Sequence, residues 1–131
     1  MAVQFKPGVN MRVIPQILDA LSKIEHIFAR YSYIPVVTSA NDGSHSSNSL
    51  HYIGAALDIR SKGLPSDIKS QIHSVLQGTF RTPWYIKLEY PNQDNEHFHI
   101  QYGLAIRDKN QKIIGYTSST VYDYTGNRVN P

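Results

Sequence analysis

Two stretches of strict alternation, Trp84-Tyr-Ile-Lys-Leu-Glu-Tyr90 and His97-Phe-His-Ile-Gln-Tyr102, constrain this chain more than anything else in it. Side chains on a strand point to opposite faces with period two, so each stretch has one apolar edge and one polar edge. The intervening Pro91-Asn-Gln-Asp-Asn95 is rich in turn formers, which predicts an antiparallel hairpin. Trp84, Ile86, Leu88 and Tyr90 then share a face with Phe98, Ile100 and Tyr102. Lys87, Glu89, His97, His99 and Gln101 gather on the other. Core lies beneath such a hairpin and chemistry above it.

Helical spacing flanks this hairpin. Ile14, Ile17, Leu18, Leu21, Ile24 and Phe28 recur every three or four residues over 13–28, and Pro15 suits a first turn, where its missing N–H costs nothing. A second helix is expected from an N-cap at Ser66, with Ile68, Ile72, Val75 and Leu76 as its apolar stripe and Gly78 as its stop. Short strands are expected over 34–38 and 55–60, with a polar loop over 39–48. In the latter strand Ala56, Asp58 and Arg60 oppose Leu57 and Ile59, which exposes Asp58 on the face away from the core. Past Gly103 the periodicity fades, although 112–116 and 121–124 read as strands. Tyr116, Tyr122 and Tyr124 imply that this end packs on the domain or on a partner.

The chain has 131 residues, room for one domain, with a core at about 11–102 and a C-terminal extension at 103–131. Without cysteine neither a disulfide nor a thiolate metal cage can form, so a metal would be held by His, Asp and Glu. Thirteen basic against ten acidic residues give a net charge of +3. The basic residues are scattered singly, which argues against nucleic acid as a partner and for a solvated surface with weak attraction to acidic polymers. The first ten residues lack the apolar core of a secretory signal, and no run approaches the roughly 20 apolar residues that span a bilayer. The expectation is a monomer made in the cytoplasm that inserts in no membrane.

His26 and His73, each within a helix, read as ordinary packing or surface residues. His51 differs in its company: Asp58 follows seven residues later, with Gly54, Ala55 and Ala56 keeping the intervening backbone slim. Joined to His97 and His99 on one strand face, with acids nearby, they make the parts of an open zinc site with its own general base. Ser49 reads as support for the loop rather than as a nucleophile, since no His–acid pair is arranged to activate it.

Ser49-Leu-His51, six residues, Asp58, and later Glu96-His-Phe-His99 resemble the signature of the zinc peptidases of bacterial cell walls. That family includes D-Ala-D-Ala carboxypeptidases, D-alanyl-D-alanine dipeptidases and phage L-alanyl-D-glutamate endopeptidases, and the hedgehog signalling domain shares its fold. The resemblance covers about 36–102. It implies an α+β fold, a small antiparallel sheet with helices packed on one side. It implies zinc on His51, Asp58 and His99 with water in the fourth position, and His97 beside the metal as a donor to substrate or oxyanion, or as a hydrogen-bond support. For the general base it points to Glu96, which holds the motif position; Glu89, on the hairpin's polar face, is the second candidate and Asp94 the third. Where the related enzymes commonly carry, after the upstream strand, an Arg that binds the substrate or polarises its carbonyl, this chain reads Thr38-Ser-Ala-Asn-Asp-Gly-Ser-His45. That leaves His45 or Asn41 to take over part of that role and Ser39 to line the cleft, with Ser49 also on the substrate side.

The implied substrate is a peptidoglycan stem peptide, cut by a carboxypeptidase or endopeptidase. The setting would be a phage endolysin released at lysis, a lysin carried in a phage particle, or a cytoplasmic dipeptidase. Two other classes are a non-catalytic, hedgehog-like zinc module that binds a partner, and a phage structural component whose 103–131 tail docks to other subunits.

Overall fold

A computed structural model describes residues 3–42, 54–103, 105–107, 109–110, 113–116, 121–122 and 128–129. Its central element is a mixed five-stranded sheet in the order β1-β2-β3-β5-β4. These strands are β1 (Gln4–Phe5), β2 (Val36–Ser39), β3 (Ala56–Arg60), β4 (Trp84–Glu89) and β5 (His97–Tyr102). Two helices, α1 (Pro15–Ala29) and α2 (Ser66–Thr79), complete this part of the chain. Beyond it, β6 (Ala105–Arg107) pairs with β7 (Ile113–Tyr116), and β8 (Val121–Tyr122) with β9 (Arg128–Val129), as separate two-stranded sheets. The expected strand over 112–116 is thus present, while Tyr124 lies outside the described residues.

The sheet is not purely antiparallel, because β1 runs parallel to β2. A parallel neighbour needs a crossover connection, and α1 supplies it. Two residues are too short to show a period, which is why sequence alone gives no sign of β1.

The hairpin forms in the expected register: Ile86 faces Ile100, Leu88 faces Phe98, and on the opposite face Lys87 pairs with His99 and Glu89 with His97. Both helices pack on the apolar face. Phe28 of α1 meets Phe98 edge-on with centroids 6.3 Å apart, and His73 of α2 stacks on the same ring at 5.9 Å. His73 is therefore a packing residue, as its setting suggests. The core takes in Ile14, Ile17, Ile24, Phe28, Leu57, Ile59, Ile72, Leu76, Phe98 and Ile100.

Three details depart from the expected pattern. Leu18, placed in the buried stripe of α1, is 55% exposed, and Ala20 and Ile27 are buried instead. Helix α2 begins at Ser66 with Pro65 at the cap position and runs past Gly78 to Thr79. Tyr90, assigned to the apolar face, has φ of +50° and is 49% exposed. That left-handed turn takes the side chain out of the strand's alternation and lays it against the His97 ring at 5.9 Å.

Gly54 fixes how α1 meets the sheet. Its carbonyl accepts the Ile14 N–H at 2.9 Å, satisfying a donor beside the start of the helix. With φ of +72°, a Cβ here would stand 2.6 Å from the Arg12 carbonyl oxygen and 2.9 Å from Val13 Cα. Neither backbone atom can yield cheaply. Gly54→Ala should therefore lower unfolding stability by at least about 2 kcal/mol in urea titrations; a change within error would mean that the two segments are not held this closely.

Candidate metal centre

Strand register builds the site in rows. Asp58 of β3, His99 of β5 and Lys87 of β4 lie side by side across the sheet, and Ser39 of β2 extends the row beyond Asp58. The next row is Arg60, His97 and Glu89; on the other side lie Ala56, Gln101 and Tyr85. Residues directly opposite on one face are neighbours, so pairing alone brings together groups 41 positions apart in the chain.

Asp58 is only 5% exposed, so the expectation of an exposed carboxylate is corrected: it lies on the face opposite the core yet is buried. Its Oδ1 stands 3.1 Å from His99 Nδ1 and 3.4 Å from His97 Nε2. Glu89 Oε1 stands 2.9 Å from His97 Nε2 and 3.8 Å from His99 Nδ1. Two carboxylates and two imidazoles thus converge around one small volume.

The outer hydrogen bonds decide which nitrogen faces inward. Gln101 Nε2 donates to the Gly103 carbonyl at 2.7 Å, which sets the amide so that its Oε1 accepts from His99 Nε2 at 2.7 Å. Nδ1 of His99 is left towards Asp58. In His97 the order is reversed: Nδ1 donates to the Asn95 carbonyl at 2.7 Å and Nε2 faces Glu89. Each ring has one proton committed outward, so an inward proton requires the imidazolium form. Burial alone would lower both histidines, but it is outweighed, chiefly by the hydrogen bond His97 donates to Glu89 and the one His99 donates to Asp58, and both are held above the ordinary 6.5. Glu89 is held below its ordinary 4.5, first by its hydrogen bond to His97, against the opposing effect of burial.

Among the described residues, Asp58, Glu89 and His99 could hold a metal ion, with one donor atom from each lying within 4.8 Å of the others. An all-N/O donor set with one ring N–H anchored by an amide suits a divalent cation, which would take the place of the inward protons. Gln101 is the residue that sequence reading left without a role. Its signal was available: two positions after His99, it must share that histidine's face.

Glu96 stands elsewhere. Its carboxylate accepts from Ser61 Oγ at 2.9 Å, Lys69 Nζ at 2.9 Å and the Asn92 N–H at 3.1 Å. The reason is parity. Glu96 precedes His97, so it sides with Phe98 and Ile100 and turns towards α2, which carries Lys69. The expectation of Glu96 as the base beside the metal is therefore corrected; Glu89 is the acid found in the cluster. Asp94 is also engaged outside it, with Lys62 at 2.7 Å.

Asn41 donates its side-chain amide to the Arg12 carbonyl at 3.0 Å, and Ser39 Oγ donates to the Asp42 carbonyl at 3.1 Å. Both serve to hold local backbone, though Ser39 also adjoins Asp58 by register. His45, Ser49 and His51 lie outside the described residues. No family model matches the chain, and neither curated proteins nor solved structures yield a match to it.

Zinc titrated into metal-free protein should bind one ion per chain by calorimetry. Asp58→Ala should abolish that binding, and Gln101→Leu should weaken it by about 10–100-fold; full affinity in both variants would remove the centre from this face.

Burial alone would raise Glu96, but Lys69 foremost, then the Asn92 N–H and Ser61, hold it below its ordinary 4.5. A depressed carboxyl stabilises the fold at pH above the unfolded value, and that contribution is lost as pH falls through the folded value. Glu96→Ala should therefore cost about 3 kcal/mol at pH 7 by leaving Lys69 uncompensated, with the gap to the parent protein narrowing below about pH 4.5. A gap that does not change with pH would show that the pair does not titrate as described.

Proposed function

We propose that the protein is a zinc-dependent peptidase that hydrolyses stem-peptide bonds of peptidoglycan. The observation that carries this reading is the meeting of Asp58 and His99 across β3 and β5, with Glu89 beside them and free of any cationic lysine or arginine partner among the described residues. Asp58 and His99 would hold the metal, joined by His51 from the segment outside the described residues. The Ser49–His51–Asp58 spacing and the His97–His99 pair, which resemble the cell-wall zinc peptidases, supply the substrate class.

When bound, zinc supplies a Lewis acid and lowers the pKa of water to about 7. Glu89 is then the carboxylate left for proton transfer. Held ionised by His97, it takes a proton from water as the water oxygen bonds to the amide carbon, and delivers it to the nitrogen as the C–N bond breaks. His97 has Nδ1 fixed on the Asn95 carbonyl, which aims Nε2 at Glu89 and at the space above Asp58. From there it orients the base or donates to the developing oxyanion. Glu96 supports this apparatus from beneath, by anchoring the turn that leads into β5 to α2 and to Ser61.

No helix among the described residues is long and apolar enough to cross a membrane. Action on the wall, whether after release at lysis or from a phage particle, belongs to this proposal.

Purified peptidoglycan incubated with the zinc-loaded protein should yield new amino and carboxyl termini by mass spectrometry. Glu89→Gln should retain one zinc per chain while turnover falls by about 10²–10⁴-fold. A variant that loses the metal would make Glu89 a ligand, and an unchanged rate would remove it from proton transfer.

A further inference from the structure

Two cations flank the cluster of carboxylates and imidazoles without a task. Lys87 of β4 is the cross-strand partner of His99, and Arg60 of β3 is the partner of His97, so each shares the cluster's face by register. Both are exposed, and among the described residues neither side chain has a hydrogen bond or an ion pair. Lys62 and Lys69, by contrast, are paired with Asp94 and Glu96. Glu89, which could have neutralised Lys87 from two positions along the same strand face, is taken by His97 at 2.9 Å.

Their placement is diagonal. β3 and β4 lie on either side of β5, two strand spacings or roughly 10 Å apart, and the two rows are offset by two residues along the strands. The line from Arg60 to Lys87 therefore crosses the cluster, between Asp58 and Glu89. An extended peptide laid along it would have its central amide over the proposed metal and one cation at each end.

We infer that Lys87 and Arg60 are specificity residues that bind two carboxylates of the substrate, one on each side of the amide to be cut. The inference rests on the peptidase reading above and narrows its substrate class to stem peptides that keep their free carboxylates. A carboxylate brought towards Asp58 and Glu89 is repelled unless a cation meets it, so the pair supplies orientation as well as attraction. Arg60 offers a fork that can grip both oxygens; Lys87, on the outer strand, offers a point charge at the rim. Two sources of such groups exist in a stem peptide: the α-carboxylate of its γ-linked D-glutamate and its C-terminal carboxylate.

The test uses zinc-loaded full-length protein and three synthetic peptides. One is L-Ala-γ-D-Glu-L-Lys-D-Ala-D-Ala, one has the D-glutamate α-carboxylate amidated, and one has the C-terminus amidated. Cleavage kinetics and calorimetric binding are measured for the parent protein and for Lys87→Gln, Lys87→Arg and Arg60→Gln, each checked for an unchanged thermal midpoint. The parent should favour the free acid over each amide by about tenfold in kcat/KM, expressed in KM, the factor expected of one charge-assisted contact. Lys87→Gln should erase the preference for one carboxylate and Arg60→Gln for the other, while Lys87→Arg should keep it. Equal cleavage of all three peptides by the parent overturns the inference and leaves the peptidase reading intact. Binding that depends on the carboxylates and on the two cations, without any cleavage, upholds the two carboxylate contacts but overturns their placement about a cut amide, together with the peptidase reading. Neither binding nor cleavage overturns both.

Discussion

The pairing of β3 with β5 is the constraint on which the rest depends. It sets Asp58 opposite His99, Ile59 opposite Phe98 and Leu57 opposite Ile100 in one run of hydrogen bonds. A slip of one residue would invert every side chain, sending the carboxylate into the helices and the phenyl ring into the site. The buried apolar face therefore guards the geometry of the polar one. Phe98, gripped by Phe28 from α1 and His73 from α2, holds the register in which its neighbours His97 and His99 can meet Asp58.

Three acids at this small sheet divide between two opposite tasks, and alternation assigns them. Asp58 and Glu89 look away from the core and face imidazoles, a setting whose charge a divalent cation can take over. Glu96 looks inward and is neutralised by Lys69, with Ser61 and the Asn92 N–H completing its shell. The first arrangement leaves donor atoms pointed at a common space; the second closes around itself. One is suited to a ligand and the other to anchoring a turn.

Much of this was legible in the chain because it is local. The hairpin faces, the α1 stripe in part, and the proximity of His99 to the polar edge all follow from periods of two and 3.6. Glu96 departs from the role its motif position implies because parity sets it with Phe98, on the core side of β5. Lys69 could not be foreseen as its partner, since that contact depends on how α2 lies across the sheet. Tyr90 escaped the alternation through a left-handed backbone angle, which no hydrophobic pattern records. The two-residue β1 has no period to read, and the Ser49–His51 motif lies outside the described residues.

On the proposed reading, Asp58 and His99 grip one zinc through the carboxylate and Nδ1. Diffraction from crystals of the zinc-loaded protein, recorded on either side of the zinc absorption edge, tests it directly. One anomalous peak should lie within about 2.2 Å of an Asp58 oxygen and of His99 Nδ1, with Nε2 still on Gln101. A peak bound through Nε2, or one seated away from Asp58, would contradict it.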